Sequence, residues 1–140
     1  MKKIAFLNGK GGTGKTTTAI LTALAAGENG FRVGMIDTDP QESATAWVSN
    51  VKPQNVHMYK KGEQYRLLLV DTPPRLEEIK KIVPREAPDT IVVVTTLSPS
   101  DILTTDRTLK TLHELGLGKR ACLLINQYQP NTRLAKTEDE

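Results

Sequence analysis

Residues 9–16 read Gly-Lys-Gly-Gly-Thr-Gly-Lys-Thr, which fits G-x-x-x-x-G-K-[ST]. They lie between an apolar strand-like stretch, residues 2–7, and a helix-like stretch, residues 17–28. A strand leading through this loop into a helix is the context of a phosphate-binding site. Closely spaced glycines let the backbone N–H groups of Gly11, Gly12, Thr13 and Gly14 turn inward around phosphate oxygens, at the positive end of the following helix. Lys15 is expected to reach the β- and γ-phosphates as a point charge, and the Thr16 hydroxyl to ligate Mg²⁺. Thr17 is a candidate contact to the α-phosphate, whereas Thr18 is expected to pack within the helix.

A chain of 140 residues with 38% hydrophobic content predicts one globular domain, residues 1–140, with a modest core. The net charge of +3 permits attraction to nucleic acid, but the lysines and arginines are dispersed along the chain and read as solvated surface. The single cysteine, Cys122, falls in the apolar run 121–125 and reads as a small core residue in a reducing compartment. His57 and His113 have no partner at ligand spacing, which argues against metal binding by either. No run approaches the ~20 apolar residues of a membrane span, and the N-terminus runs straight into a strand. A cytoplasmic protein with no membrane partner is expected.

Short β-type runs alternate with longer helical ones, the pattern of an α/β fold whose mainly parallel sheet is flanked by helices. Strands are predicted over residues 2–7, 32–37, 65–70, 90–95 and 121–125. Helices are predicted from 17 to about 28, over 41–48, over 76–83 with Pro84 as the stop, and from Ser98 to about Leu115. Gly30 and Gly116 are natural C-terminal stops, and Ser98-Pro99-Ser100-Asp101 reads as a helix start with Ser98 at the N-cap. Residues 49–62 read as a loop with a brief extended piece near 56–59. The tail beyond Gln127 carries only a possible helix start near Thr132.

Phosphoryl transfer is mostly positioning and charge stabilisation, and the chain supplies acidic groups for both. Asp37-Thr38-Asp39-Pro40-Gln41 follows the second strand, where carboxylates project into the nucleotide crevice of such folds. Asp39 is the candidate to orient the attacking water, with Asp37 supporting it or the metal shell. Asp71, at the end of Leu67-Leu68-Leu69-Val70, has the strand-then-aspartate form of a Mg²⁺-holding carboxylate, completing a metal set of Thr16, Asp37, Asp39 and Asp71. Trp47 is expected to pack against the core.

With these residues in view, the loop with its extra lysine, Lys10, resembles the deviant Walker A loop of P-loop NTPases in the ParA/MinD superfamily. Asp37-Thr-Asp-Pro-Gln41 with Ser43-Ala-Thr-Ala-Trp47, Asp71-Thr-Pro-Pro74 and Ser98-Pro-Ser-Asp101 are similar to the partition ATPases within it. The resemblance covers essentially the whole chain. It implies that Lys10 crosses the interface of an ATP-sandwiched homodimer to the partner's nucleotide, a lysine counterpart of an arginine finger. It implies catalytic roles for Lys10, Lys15 and Asp39, and an adenine contact at Asn126. It further implies nonspecific DNA binding and an activating centromere-binding protein of ParB type. Gly9 and Arg75 depart from the residues common at those positions. The family continues past this length with a further strand and helices that carry much of its basic surface, so DNA contacts are not assigned to named residues.

A small-molecule kinase or ligase-like enzyme using the same loop is the alternative, although residues 49–62 show no acceptor pocket. A membrane-site relative of the MinD type needs a C-terminal amphipathic helix, for which residues 137–140 are too acidic. A GTPase would show N-K-x-D, and Asn126-Gln-Tyr-Gln129 lacks both the lysine and the aspartate, so ATP is the expected nucleotide. Iron–sulfur relatives need at least two cysteine ligands per subunit, and this chain has one cysteine.

Overall fold

In a computed structural model that describes residues 1–127, six parallel strands form one sheet in the order β3-β2-β4-β1-β5-β6. The strands are β1 (Lys2–Leu7), β2 (Val33–Asp37), β3 (Val56–Met58), β4 (Leu67–Asp71), β5 (Thr90–Thr95) and β6 (Ala121–Ile125). The helices are α1 (Lys15–Glu28), α2 (Ser43–Val51), α3 (Leu76–Glu86) and α4 (Pro99–Glu114). Every interstrand pairing is parallel, so each connection must cross a face of the sheet, and both faces acquire helices.

Two apolar clusters fill the layers. Phe6, Met35, Leu69 and Val94 meet Ala19 and Ala23 of α1 and Ala44 and Val48 of α2, with Trp47 packed at the margin as its sequence context suggested. On the other face Leu7, Val70, Ile91 and Val93 meet Ile79, Ile82 and Val83 of α3 and Leu112 of α4. The small residues on α1 bring that helix close to the sheet and its neighbours. At Gly27 the approach is so close that an added Cβ would overlap the Gln54 carbonyl, while Asn55 Nδ2 donates to the Gly27 carbonyl at 2.9 Å.

The predicted α/β architecture holds, with local differences that have physical causes. Pro84 does not stop α3, although a proline forfeits its own N–H bond and crowds the carbonyl four residues back, here that of Lys80. Pro84 lies on the exposed side, and the Ala87 amide closes the last turn on the Val83 carbonyl at 2.9 Å. β4 opens at Leu67 instead of 65, with Arg66 still joining Lys2 of β1 to Arg32, just before β2, through its backbone. Helix α2 starts at Ser43 instead of 41, because Pro40 and Gln41 form a turn closed by Glu42 N to Asp39 O at 2.9 Å. The brief extended piece near 56–59 is β3, and Ser98 caps α4 by accepting from the Asp101 amide. Cys122 is exposed, which corrects its reading as a core residue. The run 121–125 is apolar, but among the described residues β6 is the outermost strand of the sheet, and Leu123 and Leu124 are exposed as well. The predicted helix start near Thr132 lies outside the described residues. No helix among them is long and apolar enough to cross a membrane.

Gly27→Ala should lower stability by about 2 kcal/mol, the overlap with the Gln54 carbonyl outweighing the ~1 kcal/mol helix-propensity gain. Urea unfolding measures it, and a neutral or stabilised variant would show that α1 does not pack this closely.

Candidate functional site

The strand order places a switch point at β1, because the chain leaves β1 toward β2 on one side and reaches β5 on the other. Crevices at the carboxyl ends of such strands are where ligands bind in open α/β sheets. The loop after β1 opens into this crevice and continues into α1. Register brings two acidic ends beside it: Phe6 of β1 and Asp37 of β2 both stand opposite Asp71 of β4. Two hydroxyls fasten the edge, Thr38 Oγ1 donating to the Asp71 carbonyl at 2.7 Å and Thr72 Oγ1 to the Phe6 carbonyl at 2.8 Å.

Gly11, Gly12, Gly14, Lys15, Thr16, Thr17, Asp39 and Pro74 line a cavity of about 270 Å³ at the start of α1. Gly14 has φ +98°, a conformation that side chains resist, and an added Cβ would overlap the Asn126 amide. Asn126 Nδ2 donates to the Thr13 carbonyl at 3.1 Å, so the end of β6 is tied directly to the loop. Thr13 is fully buried. The predicted loop residues and Asn126 are therefore together in one place.

Lys15 is buried, and its Nζ donates to the Lys10 carbonyl at 3.1 Å. Burial pulls its pKa below the usual lysine range, against the opposing pull of Asp71 and Asp39. Thr16 Oγ1 donates to Asp71 Oδ2 at 2.6 Å, while Asp71 Oδ1 is buried and accepts no hydrogen bond from the described residues. Burial pushes the Asp71 carboxyl up to about 6, with Asp37 and Asp39 adding to the rise and Thr16 and Lys15 opposing it. A hard-oxygen pair consisting of a hydroxyl and a carboxylate with one unused buried oxygen fits a divalent cation such as Mg²⁺.

The other two acidic candidates are placed differently. Asp37 Oδ2 accepts from both Thr45 N at 3.0 Å and Thr45 Oγ1 at 2.8 Å, and Oδ1 accepts from Asp39 N at 3.2 Å. Its carboxylate anchors the start of α2 and orients the 38–41 turn. Asp39 is half-buried on the rim of the cavity, and its Oδ1 accepts from Gln41 N at 2.9 Å. Among the described residues no group of three or more His, Cys, Asp and Glu side chains could by itself hold a metal, His57 and His113 included.

Lys10 does not point into the cradle. Its Nζ donates to Ser100 Oγ at 2.6 Å and forms an ion pair with Asp101 on α4. Sequence reasoning assigned Asp101 only to the helix start, because an acid in the first turn is ordinary there and nothing in the spacing links residue 10 to residue 101. Asn8 was also missed. It is fully buried, donating to the Val94 carbonyl and to Thr105 Oγ1, both at 2.9 Å.

A family profile described as the CobQ/CobB/MinD/ParA nucleotide binding domain matches residues 4–140. The chain is 33% identical over 145 residues to a maintenance of carboxysome distribution protein A from Gloeobacter kilaueensis, covering 92% of this chain and 64% of that protein. It is 41% identical over 63 residues to the chromosome-partitioning ATPase Soj of Thermus thermophilus, covering 45% of this chain and 25% of Soj. The chain thus spans less than two thirds of either relative's length. The fold matches a Borrelia burgdorferi protein assigned to plasmid partition and bound to AMPPNP, with TM-score 0.80 and 18% identity over 98% of this chain and 78% of that one.

Because the Asp71 carboxyl is raised in the folded state, the fold binds its proton where the unfolded chain, near 3.9, has released it. This contribution to stability is present below about pH 4 and lost as pH rises through about 6. Near neutral pH, Asp71→Asn should therefore stabilise the nucleotide-free protein by about 1–2 kcal/mol, after allowance for Lys15 losing a counter-charge. The gain should shrink toward zero at about pH 4.5. Urea unfolding at the two pH values is the check, and a destabilised variant near neutrality would contradict the electrostatics described.

Proposed function

The chain belongs to the CobQ/CobB/MinD/ParA nucleotide-binding domain family, and on that premise we propose that it is an ATP-driven dimerisation switch that hydrolyses ATP to position a cargo. The observation that carries this reading is the division of labour between the two loop lysines. Lys15 is buried in the cradle and Lys10 lies outside it, paired with Ser100 and Asp101 of its own subunit, which supports separate roles: Lys15 toward the chain's own nucleotide and Lys10, once released, toward a partner's. In this reading Gly11 to Thr17 hold the phosphates and Asn126 borders the base. Asp39 orients the attacking water, and Asp37 holds the turn that carries Asp39. Thr16 and Asp71 hold Mg²⁺, which when bound supplies charge neutralisation between the phosphates.

The proposed cargo is a plasmid or chromosome, moved through nonspecific DNA binding and reset by an activating protein of ParB type. The match to Soj favours this choice, while the match to a carboxysome-distribution protein supports positioning in general. The proposal treats residues 1–140 as one ATPase domain acting in the cytoplasm. A kinase or ligase-like use of the same cradle would instead show ATP consumption that depends on an added metabolite.

A mixing experiment tests the role of Lys10. Lys10→Ala and Asp39→Ala proteins should each hydrolyse ATP far more slowly than the wild type, by about 10³-fold or more if Lys10 acts as a finger in trans. Mixed in equal amounts they should regain activity, because an Asp39→Ala protomer lends its Lys10 to an intact site. No recovery, with both proteins shown to bind ATP, would mean that Lys10 acts within its own subunit or not at all.

A further inference from the structure

In this structure Lys10 is held, not free. Its Nζ donates to Ser100 Oγ at 2.6 Å and pairs with the Asp101 carboxylate, which is only 8% exposed at the side chain. Asp101 is itself fixed: Thr96 Oγ1 donates to its Oδ2, and its amide donates to Ser98 Oγ at 3.3 Å. Burial works against the charge on Asp101, yet Lys10, Thr96 and Ser98 outweigh it and hold the carboxyl below its usual range. Among the described residues Lys10 is the cation paired with this carboxylate.

The acceptor and the base of the loop share one rigid ledge. Gly9 N donates to Thr108 Oγ1 at 3.2 Å, and Asn8 Nδ2 to Thr105 Oγ1 at 2.9 Å. Thr105 Oγ1 in turn donates to Thr95 Oγ1 at 2.7 Å, all but the last of these joining the loop strand to α4. At Gly9 an added Cβ would come within 3.4 Å of Thr104 and Thr108 side chains, so α4 lies directly against the chain entering the loop. The fold therefore fixes where the loop backbone at Lys10 stands relative to Asp101, within reach of the lysine side chain.

We propose that Asp101, assisted by Ser100, holds Lys10 against its own subunit, so that dimerisation requires the lysine to exchange this carboxylate for the phosphates of the partner's nucleotide. This rests on the role in trans given to Lys10 above. Asp101 is a positioning residue acting through Lys10. Leaving a buried carboxylate without its counter-charge is costly, so the pair opposes association until a triphosphate on the partner offers a stronger anion. The pairing sets a threshold that discriminates against assembly without a suitable nucleotide. Removing it raises the fraction of protomers ready to associate, and apparent affinity rises in proportion to that fraction for each of the two subunits.

The test uses the full chain with Mg-ATP and reads two quantities. Asp101→Asn, which keeps the side-chain size and a partner for Thr96, should tighten the dimer dissociation constant by about tenfold. Ser100→Ala, at an exposed position, should tighten it by about threefold. In nucleotide-free protein, acylation of Lys10 by an amine-reactive reagent, followed by peptide mass spectrometry, should speed up in both variants. ATP affinity at concentrations too low for dimers should stay unchanged, which a general disturbance of the loop would not allow. If Asp101→Asn fails to fold, Ser100→Ala and the labelling rate decide alone. Unchanged dimer affinity and labelling in the variants, with dimers still lost in Lys10→Ala, would overturn the latch and leave the trans role standing. Wild-type dimerisation by Lys10→Ala would overturn the trans role, and the inference with it.

Discussion

The parallel register of β2, β4 and β1 is the constraint on which the site depends. It sets the ends of three strands level, so that Asp37 and Asp71 stand side by side where the loop after β1 turns into α1. A slip of one residue would turn every side chain to the other face of the sheet. The register is protected from both sides, by the apolar layers under α1 and α2 and under α3 and α4, and by the Thr38 and Thr72 hydroxyls that bond backbone carbonyls at the carboxyl edge. The same layers hold α1 end-on to the cradle.

That placement gathers charge below the surface. Lys15 and Asp71 are buried, each shifted in the direction that burial dictates and each moderated by the other. The hydrogen bond from Thr16 to Asp71 leaves one carboxylate oxygen with no partner among the described residues. Buried polar atoms are normally satisfied, so an unsatisfied one beside a phosphate loop marks work left for a ligand. Lys10 belongs to a different economy of charge. It stays half-exposed at the rim and answers to Asp101 on α4, which makes the N-terminal turn of that helix part of the site although it lines none of the cradle.

Periodicity and turn chemistry made most of the fold legible. β1 and β5 fall where the sequence places them, and Ser98 caps α4 as expected. The loop motif placed the cradle residues together, and strand-end aspartates placed Asp37, Asp39 and Asp71 around them. Cys122 was misread because an apolar run reports hydrophobicity and not depth: whether β6 is central or at an edge is decided by the order of strands, which no local pattern encodes. Asp37 was legible as a strand-end carboxylate near the loop but not as the anchor of α2, since its tie to Thr45 depends on how the 38–41 turn closes. Asn8 and Asp101 were invisible for the same reason, both being defined by contacts with residues about ninety positions away.

The proposed switch requires that ATP, and not ADP, join two copies of this chain. The most direct measurement is the solution mass of Asp39→Ala protein by light scattering, first with Mg-ADP and then with Mg-ATP, because blocked hydrolysis traps the associated state. A monomer with Mg-ADP and a dimer with Mg-ATP are the expected result. A monomer in both, with ATP binding demonstrated, would contradict it.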